Sequence, residues 1–194
     1  MLGLKLPTDP RWVNIVEKSI EDILVDHAYC EQKAASSCIS LIVGFPDKEE
    51  LVKVLSPIVS EEWGHFRMVL TELEKRNYSL GPLRKDEYVG ALIKFVKKGG
   101  SREDQLVEKL LMNALIEARS CERFRLLSIH MEDKDLSKFY HDLMASEAGH
   151  YRTFIDLAKT YGKDEGQVME RWQEWLDFEK ELLQSWELRG DRMH

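Results

Sequence analysis

The chain has 194 residues, enough for one domain with a sizeable core, and its 35 acidic against 28 basic residues leave a net charge of −7. That balance argues against strong non-specific binding of nucleic acid, which needs an excess of cations, while leaving room for a local basic patch. Three cysteines without zinc-type spacing, an N-terminus without signal-peptide layout and apolar runs too short to cross a bilayer predict a soluble protein of the reducing cytoplasm.

Taken in order, Asp9-Pro10 is a helix-start signal, and a short helix to about Lys18 follows. From Ile20 the apolar stripe reads Ile20, Leu24, His27, Glu31, Ala34, Cys38, Leu41, in steps of four and three, until Gly44-Phe45-Pro46-Asp47 ends the first long helix. A second long helix, about 48–76, carries the stripe Leu51, Leu55, Ile58, Glu62, His65, Val69, Leu73. So short a connection makes these two helices antiparallel neighbours. Residues 77–102 read as a crossover containing Gly81-Pro82, a short helix of about 87–97 and Gly99-Gly100.

Ser101 to Asp104 starts a third long helix, to about Met131, with the stripe Leu106, Leu110, Ala114, Glu117, Cys121, Phe124, Ser128 and a second register through Leu111, Leu115, Ala118 and Glu122. A fourth, from about Asp135 to Tyr161, reads Leu136, Tyr140, Leu143, Glu147, His150, Phe154, Leu157. A fifth amphipathic helix, about 164–186, bears Trp172, Trp175, Phe178, Leu182 and Trp186, which read as packing residues, and the polar tail to His194 reads as frayed. The predicted fold is all-α: one domain over 1–194, with a four-helix core of about 19–162, a long crossover and an added C-terminal helix.

The polar residues on these stripes form a pattern. Glu62-Trp63-Gly64-His65 and Glu147-Ala148-Gly149-His150 are both Glu-x-x-His, which places carboxylate and imidazole on one helix face. Each follows another stripe Glu at a similar interval: 62−31 = 31 and 147−117 = 30 positions. The chain thus reads as a duplicated hairpin with its four carboxylates at one level, which is what a two-metal carboxylate bundle requires. Glu122 is a rival to Glu117 but lies close to the turn near Asp133, so Glu117 is preferred. One Glu–His pair alone is more often a satisfied polar pair; six such residues at matched levels point to metal. Buried carboxylates need a counter-charge, and oxygen-rich ligation with some imidazole suits iron or manganese. His27 reads as a packed or supporting histidine, and Cys30, Cys38 and Cys121 as small core residues.

Four wider segments carry a resemblance: Asp26–Ala35, Glu61–Phe66, Leu115–Phe124 and Ser146–Tyr151, of which the run Glu117-Ala118-Arg119-Ser120-Cys121-Glu122-Arg123-Phe124 is far more specific than Glu-x-x-His. They resemble the tRNA 2-methylthio-N6-isopentenyladenosine hydroxylase family, MiaE, of the ferritin-like superfamily. The resemblance implies a di-iron, dioxygen-dependent monooxygenase that hydroxylates the isopentenyl group of the modified adenosine in the tRNA anticodon arm. It implies the ligands Glu31, Glu62, His65, Glu117, Glu147 and His150, no further catalytic side chain, and an external electron donor as redox partner. Phosphate contacts are expected from Lys94, Lys97, Lys98 and Arg102, which could equally form a plain solvated face, or from the arginines of the third helix (Arg119, Arg123, Arg125), which could equally pair with Glu117 or Glu122. An iron-handling or peroxide-scavenging protein of the ferritin and rubrerythrin kind is the alternative. It lacks support from any Cys-x-x-Cys iron centre. A scaffold with buried ion pairs is a third reading.

Overall fold

The computed structural model describes residues 2–194. Seven helices account for it: α1 Arg11–Val16, α2 Ile20–Gly44, α3 Glu49–Lys75, α4 Glu87–Phe95, α5 Arg102–His130, α6 Lys134–Tyr161 and α7 Glu165–Gln184, with no strand among the described residues. The fold is built as two compact units. One comprises Asn14–Lys85 with Arg189–Met193; the other comprises the segment up to Val13, Asp86–Leu188 and His194.

In the first unit α2 and α3 pack side by side, joined by residues 45–48. Glu21 and Asp22 in the first turn of α2, and Glu49 and Glu50 in that of α3, favour the positive end of each helix dipole. The buried face of α3 is the stripe Leu51, Leu55, Ile58, Glu62, His65, Val69, Leu73 expected from periodicity, with Glu72 added. On α2 the buried stripe passes through Ala35 where the sequence pattern suggested Ala34. Pro57 lies on the exposed side of α3, and the helix runs on through it.

The tail expected to fray is instead tied down. Asp26 on α2 accepts from the Met193 amide (Oδ2, 2.8 Å) and pairs with Arg192 (Oδ1, 2.8 Å), and Met193 is fully buried. Arg84 reaches the Asp22 carbonyl at 2.8 Å and the Asp191 carbonyl at 2.6 Å. The tail's polarity is what docks it: its cations and amides meet acids of α2.

In the second unit α5 is the central element. It opens on a reciprocal cap in which Ser101 Oγ accepts from the Asp104 amide while Asp104 accepts from the Ser101 amide. Buried residues ring it on nearly every side, which is why its sequence shows two registers. α6 packs along it after a tight turn at 131–133. α7 is held by two buried ion pairs. Arg171 Nε and Nη2 donate to Glu108 at 2.6 and 2.7 Å, and Arg119 Nε and Nη2 donate to Glu179 at 2.7 and 2.8 Å. Trp172 and Trp175 are buried beside them, and Phe95 of α4 stacks on Phe178 with ring centres 4.1 Å apart. Trp172 and Trp175 are packing residues, as read from the stripe; Trp186, read with them, lies beyond the end of α7 and is exposed.

Candidate metal centre

Each unit contributes one triad of two carboxylates and an imidazole. On the α2–α3 hairpin the triad is Glu31, Glu62 and His65, whose potential ligand atoms lie within 4.8 Å of one another. Glu62 and His65 share the inner face of α3 through their i,i+3 spacing, and Glu31 meets them from α2. His65 Nδ1 stands 3.5 Å from Glu31 Oε2 and 3.7 Å from Glu62 Oε2. Glu62 is only 1 % exposed and Glu31 only 4 %. Burial alone would push the Glu31 carboxyl up. Hydrogen bonds from His27 and His65 outweigh it and hold the group below the ordinary carboxylate range, so Glu31 is ionised.

On the α5–α6 hairpin the triad is Glu117, Glu147 and His150, again within 4.8 Å and all buried. Ser146 Oγ stands 3.4 Å from His150 Nε2, so the serine addresses the ring nitrogen opposite Nδ1. The rival Glu122 is engaged elsewhere: it accepts from the Thr8 amide, the Thr8 hydroxyl and Arg119 Nη1, each at 2.7 Å. The two α5 registers therefore do different work, Glu117 joining the acids of α6 and Glu122 fastening the N-terminal segment.

The donor sets fit divalent iron or manganese. Each triad concentrates two carboxylates in a buried place, where an uncompensated pair of charges is costly, and adds one neutral donor. No thiolate competes. Burial, reinforced by the field of Glu62, raises Cys38 to about 12, and burial with the fields of Glu147 and Glu122 raises Cys121 to about 11. Half-buried Cys30 should therefore be the one thiol to react quickly with a disulfide reagent at pH 8, the others reacting only on unfolding; three fast thiols would contradict this. The linkage has a definite sign. Folded-state values above the unfolded ~8.5 favour the native state below that pH, and this contribution is lost as pH rises towards 11–12.

Lys94, Lys97, Lys98 and Arg102 are all exposed. Lys97 and Lys98 line a cleft of about 500 Å³ that also carries Lys163 and Arg171, together with Asp104, Glu108, Glu170 and Glu174. Lys97 Nζ pairs with Glu174 at 2.9 Å. Two of the three arginines expected on α5 as phosphate contacts are excluded from that role: Arg119 is fully buried against Glu179 and Glu122, and Arg123 is buried over the Trp12 ring. Arg125 is exposed. The buried Arg119–Glu179 and Arg171–Glu108 pairs escaped sequence reading. Their signal was a carboxylate or arginine on an otherwise apolar helix face, as with Glu179 one turn after Trp175 on α7.

Helices of this order, with Glu and Glu-x-x-His at matched places in two hairpins, define a ferritin-like carboxylate protein. The comparisons agree and go further. The sequence matches the family described as tRNA-(MS2IO6A)-hydroxylase (MiaE) over residues 2–194, and the chain belongs to that family of hydroxylases. It is 37 % identical over 182 residues to the tRNA 2-(methylsulfanyl)-N(6)-isopentenyladenosine(37) hydroxylase of Pseudomonas putida, covering 94 % of this chain and 87 % of that protein. It is 34 % identical over 114 residues to the hydroxylase of the same name from Salmonella typhimurium, covering 59 % of this chain and 41 % of that protein. Among solved structures it is similar to "Protein 43 with aldehyde deformylating oxygenase activity from Synechococcus", at 33 % identity and TM-score 0.91, over 98 % of this chain and 94 % of that one. Among the described residues no helix is long and apolar enough to cross a membrane.

Proposed function

We propose that this chain hydroxylates the isopentenyl group of 2-methylthio-N6-isopentenyladenosine in the anticodon arm of tRNA, in the cytoplasm, using dioxygen and two electrons from a redox partner. The observation that carries this reading is the family match over residues 2–194 on a chain that keeps both buried triads. Glu31, Glu62 and His65 with Glu117, Glu147 and His150 are the six proposed ligands of a di-iron centre. Four carboxylate charges are matched by two divalent ions, with two neutral imidazoles completing the set. Two irons held there would supply two-electron activation of dioxygen, the chemistry that an allylic C–H bond inert to acids and bases requires. The overall reaction is R–H + O2 + 2 electrons + 2 protons giving R–OH + H2O.

The side chains do the rest. Glu31 is kept ionised by its histidine neighbours, so a cation is favoured before any substrate arrives. Low exposure of the triads limits water and strengthens every electrostatic interaction within them. The net acidity of the chain means that tRNA is held by a local face, for which exposed Lys94, Lys97, Lys98 and Arg102 are the proposed contacts. Replacing both Lys97 and Lys98 by Glu should weaken tRNA binding several-fold and flatten its salt dependence. The Lys97–Glu174 pair broken in that variant is exposed and contributes little to stability, so folding should be kept. Wild-type binding by the double variant would move the RNA face elsewhere.

The experiment in cells is nucleoside mass spectrometry of tRNA with and without this chain. A hydroxylated prenyl nucleoside should appear only with it. The named activity of the Synechococcus protein supplies a control: conversion of an aldehyde by the purified, iron-loaded chain, with no change in tRNA, would favour an aldehyde oxygenase instead.

A further inference from the structure

The two hairpins are alike at the Glu and Glu-x-x-His positions but differ one helical turn before each central Glu. On α2 that residue is His27, fully buried, with Nε2 2.6 Å from Glu31 Oε1. On α5 it is Asn113, whose Nδ2 donates to the Lys109 carbonyl of its own helix at 2.7 Å. A carboxylate only accepts hydrogen bonds, so His27 Nε2 carries the proton and donates it. That bond occupies Oε1 of Glu31. The other oxygen, Oε2, is the one turned to His65, at 3.5 Å from Nδ1.

We propose that His27 is a positioning residue that fixes the Glu31 carboxylate with Oε2 turned towards His65, where the α2–α3 triad would hold a metal, a constraint that the matching place on α5 does not supply. This rests on the di-iron reading above. The physical reason is that a buried, charge-assisted hydrogen bond takes one of the two lone pairs of Oε1 and fixes the plane of the carboxylate, which leaves Oε2 the freer oxygen for a metal. At 0 % exposure no water stands ready to replace it. Glu117 has no imidazole one turn before it on its own helix, so the duplication of the hairpins is broken where ligand geometry is set.

The test uses the full chain with Glu31 intact and compares His27→Gln, which keeps a donor of similar reach, with His27→Met, which has similar bulk and no donor. Circular dichroism first establishes that both fold. Iron(II) is then titrated anaerobically, bound metal is counted, and the iron-57 form is measured by Mössbauer spectroscopy. The wild type should bind two irons and show two distinct quadrupole doublets. His27→Met should bind one iron normally and the second 10- to 100-fold more weakly, with one doublet altered. His27→Gln should recover most of the second iron. Two irons bound by His27→Met at wild-type affinity with an unchanged spectrum would overturn the proposal, as would equal weakening of both irons. A wild type that binds no iron at all would instead sink the di-iron reading itself.

Discussion

Replacing Glu62 or Glu147 by Ala should strip most of the metal from a protein that, as isolated from iron-replete cells, holds about two irons per chain. Each side chain is almost wholly buried within its triad, at 1 % and 2 % exposure, so no neighbouring water can take its place without opening the helix pair. The sharper comparison lies on α5. Glu117→Ala should lose metal as the other two do. Glu122→Ala should keep its metal and lose stability instead, because it removes a carboxylate bonded to Thr8 and Arg119. Hydrogen bonds to charged groups contribute on the order of 1.5–3 kcal/mol each, so a clear drop in melting temperature is expected from that variant. Metal analysis beside a thermal melt separates the two roles. Loss of metal in Glu122→Ala with Glu117→Ala fully loaded would move the ligand by five residues.

The second large effect is on folding. Arg119→Ala should destabilise the chain by about 3–5 kcal/mol, since it leaves Glu179 wholly buried without its counter-charge; Glu179→Ala should cost less, because Arg119 keeps Glu122 at 2.7 Å. For a chain of this size the Arg119→Ala loss corresponds to a fall in melting temperature on the order of 10 °C. The paired replacement Arg119→Met with Glu179→Leu should recover much of the loss, because two apolar side chains remove both charges at once. Urea melts of the three variants measure this. A single variant as stable as the wild type would show that the pair is not the anchor of α7.

The parts of this molecule that sequence could disclose were those set by local periodicity. All seven apolar and polar positions of the α3 stripe are buried as the steps of three and four require, and the same holds for α6 from Leu136 to Leu157. The Glu-x-x-His pairs were legible because i,i+3 spacing alone puts their side chains together. What stayed hidden was non-local. The level of Glu117 in the hairpin was legible, but the use of Glu122 was not: it is claimed by Thr8, more than a hundred residues away. The docking of the polar tail depends on Asp26 and on Arg84, neither near it in sequence. For Arg119 and Arg123 the sequence left open a phosphate contact or an ion pair with a neighbouring Glu; Arg119 does pair with Glu122, but its second partner Glu179, and the Trp12 ring under Arg123, are set by distant packing. His27 was visible as a polar residue on an apolar stripe, but the oxygen of Glu31 it holds was not.

Hydroxylation of the prenyl group is tested by following the oxygen atom. Prenylated, methylthiolated tRNA is incubated with the reduced, iron-loaded protein under oxygen-18 gas, digested, and the nucleosides are weighed. A modified adenosine heavier by one labelled oxygen atom is expected, formed only with dioxygen and reductant present and absent with the Glu62→Ala protein. Unchanged nucleoside from a protein whose two irons are bound and reducible would contradict it and return the chain to the iron-handling alternative.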